Sequence, residues 1–428
     1  MRVLLDLVAR HRNGEAVGIA SLCSAHPLVV EAALRHAQAR GLPQVLFEAT
    51  CNQVNQDGGY TGMRPEDFVR FVHGIAADVG FDPARIALGG DHLGPSPWTA
   101  LEAAEAMDKA EAMVAAFVAA GFRKIHLDCS MSCAGDPVPL PEATIVERAV
   151  RLCRVAEAAW ARSGGEAPVY VIGTEVPVPG GATEAIHALA ATTPEAALAT
   201  IGAHRDAFAA AGLGDAWTRV IASVVQPGVE FDHHEVIDYA PDKARALSDA
   251  IARVPGMVYE AHSTDYQTRT ALAALVRDHF AILKVGPGLT FALREALWAL
   301  DAIEREWIPA SRRAGLREVA LACMRARPEH WKRYYHGDGR ALDFDLQYSL
   351  SDRIRYYWPD PEIERARQRL FANLRDQPPP MPMLGQYLPR ALPALRAGAA
   401  SDPKAWVLEH LTHVLDDYYH ACNPRPSR

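Results

Sequence analysis

The stretch RIALGGDHLGP, residues 85–95, is an apolar run of strand length that ends in an acid beside an imidazole, Asp91 and His92. Apolar runs of about four to eight residues, bounded by Gly, Pro or polar residues, are typical of buried parallel strands. Seven more such runs occur in the chain, and each is followed by a longer segment of helical periodicity. The eight runs are AVGIASL (16–22), QVLFEAT (44–50), RIALGGD (85–91), KIHLDCS (124–130), VYVIGTEV (169–176), RVIASVVQ (219–226), MVYEAHS (257–263) and FAILKVG (280–286).

Eight strands that alternate with helices predict an α/β fold, the TIM (β/α)8 barrel. An open doubly wound sheet is the alternative, although no GxGxxG follows the first strand. After about residue 306 the alternation stops, and the sequence becomes helical in character and rich in Arg, Tyr and Trp. We therefore predict a barrel over residues 1–306 and an all-helical C-terminal extension over 307–428. The extension is expected to pack on the barrel or to serve a homo-oligomer interface.

The composition excludes several classes of partner. The chain has 428 residues and a net charge of −8, which disfavours nucleic acid and anionic membranes as binding partners. No apolar run approaches the ~20 residues of a membrane span, and the N-terminus lacks a signal-peptide pattern. Seven cysteines without a CxxC pair are typical of reduced thiols. We expect a cytoplasmic protein.

Polar residues gather at the carboxyl ends of the predicted strands, the end at which β/α barrels carry their active sites. Helix capping explains residues such as Thr264 and Thr290. It explains Glu48, Glu175 and Glu260 poorly, because a buried carboxylate without a partner is costly. We therefore predict an active site at this mouth. In chain order its candidates are Glu48, Asn52, Gln53, Asp91, His92, Asp128, Glu175, Gln226, Glu260, His262, Ser263, Asp265, Lys284 and Gly286.

Three of these candidates form a set suited to a metal. His92, Glu175 and His262 follow the third, fifth and seventh strands, and their nitrogen and oxygen ligands suit a catalytic divalent ion such as zinc. Each histidine alone could equally be a neutral core residue bonded to backbone. With a metal present, Asp91 or another carboxylate would move the proton of a carbonyl substrate.

The segment KVGPGLTFALREAL, residues 284–297, favours phosphate binding on backbone N–H groups at the start of the last barrel helix. A tight turn alone would also need its glycines. Lys284 leaves Schiff-base chemistry open, since it is the one lysine at the carboxyl end of a strand. Lys124 begins the fourth strand and is expected to face the structural side of the barrel.

Several long strings resemble the family of non-catalytic subunits of D-tagatose-1,6-bisphosphate aldolase. They include EATCNQVNQDGGYTGM (48–63), GGDHLGP (89–95), YEAHSTDYQTRTAL (259–272) and YSLSDRIRYYWP (348–359). The resemblance runs from about residue 16 to at least residue 390. It implies a β/α barrel related to class II aldolases and a role in galactitol, N-acetylgalactosamine or tagatose catabolism.

The resemblance also implies roles for individual residues. Asp91 and His92 match the base and zinc ligand that follow the third strand of the catalytic class II aldolases. His262 matches their ligand after the seventh strand. Gln226 stands where those aldolases carry a third histidine after the sixth strand, so Glu175 could supply the third ligand and Gln226 a neutral fourth.

Two hypotheses follow. The first is a metal-dependent ketohexose-phosphate 4-epimerase or aldolase, as members similar to this family interconvert D-tagatose 6-phosphate and D-fructose 6-phosphate. Its expected metal ligands are His92, Glu175, His262 and Gln226, and its proton-transfer groups are Asp91, Glu260 and Asp128. Its substrate-binding residues are Glu48, Asn52, Gln53, Ser263, Asp265, Lys284 and Gly286. The second hypothesis is an accessory protein that stabilises a separate catalytic aldolase subunit through the helical extension.

Overall fold

The computed structural model describes residues 2–174, 182, 189–398 and 402–423. Eight parallel strands form a closed barrel in the order β1-β10-β9-β6-β5-β4-β3-β2, and β7 and β8 form a short antiparallel ribbon. The predicted TIM barrel is confirmed. The strands are β1 (Ile19–Leu22), β2 (Val45–Thr50), β3 (Ile86–Leu93), β4 (Lys124–Leu127), β5 (Val169–Ile172), β6 (Val220–Val225), β7 (Glu230–Phe231), β8 (Val236–Ile237), β9 (Val258–Ala261) and β10 (Phe280–Val285).

Helices surround the barrel and make up the rest of the described chain. Several open on a proline in the first turn, where its missing N–H costs nothing. Helices α2 and α3 end at left-handed glycines, Gly41 with φ 63° and Gly80 with φ 69°. The helices are α1 (Arg2–Arg12), α2 (Pro27–Arg40), α3 (Pro65–Val79), α4 (Ala103–Ala120), α5 (Glu142–Ser163), α6 (Pro194–Ala210), α7 (Gly214–Trp217), α8 (Pro241–Ile251), α9 (Arg269–Arg277), α10 (Pro287–Trp307), α11 (Leu316–Ala326), α12 (Gly339–Tyr348), α13 (Pro361–Asp376), α14 (Met381–Tyr387), α15 (Leu392–Arg396) and α16 (Pro403–Cys422).

Helix α1 closes the barrel at the amino ends of the strands. Leu4 and Val8 are buried in one apolar cluster with Ile19, Leu46 and Ala281 from the barrel interior. This end of the barrel is therefore filled by apolar side chains, and the polar side chains lie toward the carboxyl ends. None of the helices that the structure describes has an apolar stretch long enough to cross a bilayer.

The elements after α10 that the structure describes are all helical. The boundary that we predicted after residue 306 falls just before the last residue of α10. Helix α16 packs on α2, α9 and α10 of the barrel. Leu297 of the barrel shares one hydrophobic core with Leu370 and Trp406 of the extension. The extension thus packs directly on the barrel.

Candidate active site

A pocket opens at the carboxyl ends of the barrel strands, the end at which β/α barrels carry their active sites. Nine of the predicted site residues line it, and side chains from the loop after β2 and from the extension complete its wall. The nine are Asn52, Gln53, Asp91, His92, His262, Ser263, Asp265, Lys284 and Gly286.

Three imidazoles lie together at the base of this pocket. His92 is on β3, His126 is on β4 and His262 follows β9 directly. The ring centroids of His92 and His262 are 4.9 Å apart, and both rings are 5.3 Å from the ring of His126. The three side chains are buried. This arrangement concentrates nitrogen ligands in one place.

A carboxylate holds one ring nitrogen of each histidine. Such carboxylate partners fix the tautomer and the orientation of metal-binding histidines, and they leave the other nitrogen free to bind. Burial lowers the pKa of His262 to about 4, so this ring is neutral, as a metal ligand must be. The pairs are His92 Nδ1 with Asp128 Oδ2 at 2.7 Å, His126 Nδ1 with Asp91 Oδ1 at 2.9 Å and His262 Nε2 with Glu260 Oε1 at 3.0 Å.

The second ring nitrogen of His126 has no described partner of its own. Its Nε2 is buried and has no hydrogen-bond partner among the atoms that the structure describes. A buried polar atom of this kind is costly unless something binds it. Together with Asp91, Glu260 and His262, His126 forms a buried group whose ligand atoms all lie within 4.8 Å of one another. The group is compatible with a metal site.

His126 was missed in the sequence analysis, although a signal was present. Side chains alternate between the two faces of a strand. Lys124, His126 and Asp128 are therefore expected on one face, and Asp128 was already a candidate. The run KIHLDCS contains His126, but only Asp128 of that run was among the candidates.

Lys124 lies inside the barrel, and our expectation that it faces the structural side was wrong. Its Nζ is 2.6 Å from Glu48 Oε1 and 2.7 Å from Glu260 Oε2, and its side chain is fully buried. Lys284 pairs with the other oxygen of Glu48 and lies 2.8 Å from Asp91 Oδ2. The charges thus alternate from Glu260 through Lys124, Glu48 and Lys284 to Asp91.

The charge balance of this interior also fits a cation. Two lysines stand against four buried carboxylates beside the three imidazoles. Burial would lower the pKa of His92, but Asp91 and Asp128 raise it, so either a protonated imidazole or a bound cation can balance the remaining negative charge. The carboxylates are Glu48, Asp91, Asp128 and Glu260. A divalent ion would supply such a cation.

The pKa shifts of Asp91 and Lys284 favour the charged form of both side chains. Burial would raise the pKa of Asp91, but His92 and Lys284 hold it well below its usual range, so Asp91 is ionised. Burial would lower the pKa of Lys284, but Asp91 raises it well above the ordinary value. A Schiff-base lysine needs the opposite shift, since only the neutral amine attacks a carbonyl.

Four of the predicted site residues that the structure describes do not line the pocket. Glu48 and Glu260 are fully buried beneath it, and Asp128 lies behind His92. Gln226, which we predicted as a metal ligand, stabilises a turn instead. Its side-chain oxygen accepts the N–H groups of Gly228 and Val229 at 2.8 and 2.9 Å. Glu175 lies outside the described residues. Glu48, Asp128 and Glu260 therefore contact other side chains behind the pocket wall.

Two predicted substrate contacts are already engaged within the protein. Gln53 donates to the carbonyl of Cys23 at 3.1 Å and accepts from the N–H of Thr50 at 2.9 Å. Asp265 Oδ1 accepts the N–H groups of Gly286 and Gly288 at 2.9 and 2.7 Å. Burial raises the pKa of Asp265 to about 6. The N–H groups that we expected to bind phosphate are therefore occupied by a carboxyl group.

The extension contributes Arg355 and Tyr356 to the pocket wall. Sequence reasoning missed both, because it expected the extension to pack on the barrel or to serve an interface and assigned none of its residues to the site. The string YSLSDRIRYYWP contains them, but nothing local in it indicates that they reach the barrel mouth. Only the packing of the extension on the barrel brings them there.

Replacing Asp128 with asparagine is expected to lower both metal affinity and kcat about 10- to 100-fold, the usual range for a partner that orients a ligand. The KM for the sugar should change little, because Asp128 does not line the pocket. Steady-state kinetics and metal analysis would check this, with the exposed Asp249→Asn as control. A changed KM with an unchanged kcat would contradict the positioning role.

The comparisons with known proteins agree with this fold. The family model described as D-tagatose-1,6-bisphosphate aldolase subunit GatZ/KbaZ-like matches residues 4–423. A probable tagatose 6 phosphate kinase from Sinorhizobium meliloti 1021 is 51% identical, with 95% of this chain and 100% of that chain covered and a TM-score of 0.87. A fructuronate-tagaturonate epimerase from Cohnella laeviribosi is 12% identical over 94% of this chain and 81% of that chain, with a TM-score of 0.49. The chain belongs to the GatZ/KbaZ-like family of D-tagatose-1,6-bisphosphate aldolase subunits.

Proposed function

We propose that this protein is a metal-dependent ketohexose-phosphate 4-epimerase that converts D-tagatose 6-phosphate to D-fructose 6-phosphate. The observation that carries the proposal is the set of three buried imidazoles, each held by its own carboxylate, at the base of a pocket that also contains an ionised Asp91. A scaffold without chemistry has no need of so many buried ionisable groups.

The residues that would hold the metal are His92, His126 and His262. A bound divalent ion, for which zinc is our candidate, supplies Lewis-acid polarisation of the substrate carbonyl. His126 takes the place that we had given to Gln226, since His126 belongs to the buried group of potential ligands while the oxygen of Gln226 is engaged in a turn. Asp128, Asp91 and Glu260 keep the three rings oriented.

Asp91 is the side chain placed to move the proton. As an ionised carboxylate in the pocket it can accept the proton of the C4 hydroxyl. The C3–C4 bond then breaks, so that C4 becomes an aldehyde and the bonding electrons pass to a three-carbon enediolate. Re-addition to the opposite face of the aldehyde forms the bond again with C4 inverted, and Asp91 returns the proton. Lys284, 2.8 Å from Asp91, stabilises the negative charge near this carboxylate.

An accessory function is the second candidate, and the family description favours it because it names an aldolase subunit. In that case the barrel would stabilise a catalytic partner through the extension, and the polar mouth would have no substrate. The two candidates differ in whether the purified chain has activity by itself.

The purified chain is expected to interconvert D-tagatose 6-phosphate and D-fructose 6-phosphate, as followed by NMR. Treatment with a chelator should remove the activity, and adding back a divalent metal should restore it. His92→Ala should be inactive and should bind less metal, while borohydride should trap no covalent adduct. Absence of turnover with every divalent metal tried, together with stabilisation of a partner aldolase, would favour the accessory role. ATP-dependent phosphorylation of D-tagatose 6-phosphate would instead indicate a kinase.

A further inference from the structure

One turn of the extension forms part of the pocket wall. Arg355 and Tyr356 are the last two residues of the turn RIRY (353–356), and both side chains line the pocket next to Tyr60 from the loop after β2. The aromatic rings of Tyr60 and Tyr356 are 4.4 Å apart. These three residues are therefore one continuous surface facing the same space as the histidines.

This turn is firmly attached to the barrel. The carboxylate of Asp352 accepts from the Thr290 hydroxyl at 2.6 Å and from Arg294 Nε at 3.0 Å, and both partners are on α10. The hydroxyl of Tyr266 donates to the carbonyl of Leu350 at 2.5 Å. All these side chains are well buried or partly buried, so the position of Arg355 is fixed by the fold.

Arg355 makes no direct ion pair with a described residue, although the carboxylates of Asp352 and Asp265 are near enough to interact with its charge. Its guanidinium donates to the backbone carbonyls of Ser351 and Asp352, the second at 3.1 Å. Among the residues that the structure describes, no carboxylate oxygen lies within 4 Å of it. Lys284, the other permanent cation of the pocket, is paired with Glu48 and Asp91. The five N–H donors of a guanidinium leave Arg355 with donors to spare for an anion.

Tyr356 strengthens this surface as an anion site. The guanidinium of Arg355 lies 4.7 Å from the centroid of the Tyr356 ring, and its Nη2 is 3.3 Å from the hydroxyl. Burial alone would raise the pKa of Tyr356, but Arg355 and Arg353 lower it to about 8. A hydroxyl that gives up its proton so readily is a strong hydrogen-bond donor to an anion.

The backbone N–H groups after β10, where barrels commonly bind phosphate, are engaged by Asp265. An anionic substrate therefore needs another partner in this pocket. We propose that Arg355, with Tyr356 and Tyr60, binds the terminal anionic group of the sugar substrate, a phosphate or a carboxylate. The identity of the sugar as a ketohexose rests on the proposed function, but the anion site itself does not require turnover.

Calorimetric binding of three sugars tests the site without relying on catalysis. D-tagatose 6-phosphate carries a phosphate, D-tagaturonate carries a carboxylate and D-tagatose carries neither. Wild-type protein should bind at least one of the charged sugars more tightly than D-tagatose. Arg355→Met should raise the Kd of that sugar about 30-fold, because a charge-assisted hydrogen bond is lost, and should change the Kd of D-tagatose less than about twofold. The preferred charged sugar identifies the natural anion.

The controls separate charge from folding. Arg340→Met removes an exposed arginine of the extension and should leave all three Kd values unchanged. Arg355→Lys should recover part of the affinity, since lysine keeps the charge and loses the planar fork. If Arg355→Met does not fold, raising the salt from about 50 mM to about 500 mM should weaken binding of the charged sugar to wild type and not of D-tagatose.

Equal binding of all three sugars by wild type, or an equal loss of all three in Arg355→Met, would overturn the anion site. Absence of any binding by the charged sugars would overturn it as well. Charge-dependent binding without turnover would reject the proposed epimerase and leave the anion site standing. Turnover without any preference for the charged sugars would support the epimerase and overturn the anion site.

Discussion

Replacing His126 with glutamine is expected to lower kcat/KM for D-tagatose 6-phosphate about a thousandfold. Loss of one of three imidazole ligands removes several kcal/mol of charge stabilisation, and about 4 kcal/mol corresponds to three powers of ten. The variant should also bind less metal per chain, which metal analysis of the purified protein measures independently of activity. Glutamine fills a similar volume, so the fold should persist.

His204→Gln is a matched control for this variant. His204 is a fully buried histidine on α6, and its Nδ1 contacts the carbonyl of Thr200 at 2.8 Å. Its Nε2, like that of His126, has no hydrogen-bond partner among the described atoms. It differs from His126 in lacking a neighbouring histidine cluster, so metal content and kcat/KM should stay at wild-type values. Equal losses in both variants would show that the effect comes from burial and not from the site.

Replacing Lys124 with methionine is expected to lower the free energy of unfolding by about 3–5 kcal/mol, the usual cost of leaving a buried charge without its partner. Lys124 is fully buried and is the ion-pair partner of both Glu48 Oε1 and Glu260 Oε2. Methionine is one atom shorter, keeps an unbranched apolar side chain and removes the ammonium group with its charge and its N–H donors. Urea titration monitored by circular dichroism would measure the change.

Two further variants test the cause of that destabilisation. Combining Lys124→Met with Glu48→Gln and Glu260→Gln should recover much of the lost stability, because the carboxylates no longer need a cation. Lys243→Met removes an exposed lysine and should change the free energy of unfolding by less than about 0.5 kcal/mol. If the triple variant were no more stable than Lys124→Met, the charges would not be the reason for the loss.

The third imidazole comes from an unexpected strand. The resemblance to the catalytic aldolases places a histidine after the sixth strand, where this chain has Gln226. The structure brings His126 on β4 to within 5.3 Å, between ring centroids, of both His92 and His262. A chain that lacks the sixth-strand histidine can therefore still present three imidazoles at one mouth. For this reason Gln226 alone does not argue for an inactive barrel.

The role of the extension also changes with the structure. We expected it to pack on the barrel or to serve an interface, and the structure shows that it packs on the barrel. Its Arg355 and Tyr356 also line the barrel pocket, and Asp352 ties them to α10 through Arg294. The extension is therefore part of the candidate active site as well as of the core.

The sequence by itself determined the eight strands, the closed barrel and the polar carboxyl end. These features depend on local periodicity and on the position of each residue within its own run, both of which can be read from neighbouring residues. Asp91, His92 and His262 were found in this way. The family was identified in the same manner, from long strings of residues.

Only the tertiary structure decided which polar side chains face the pocket and which lie behind it. Glu48, Glu260 and Asp128 follow the same rule as Asp91 in the sequence, but register between strands buries them beneath the histidines. Lys124 and His126 acquire their roles from residues on β2, β3 and β9, and Arg355 acquires its role from the packing of a distant helical segment. Contacts between residues far apart in the chain depend on how whole elements pack, and no local pattern specifies them.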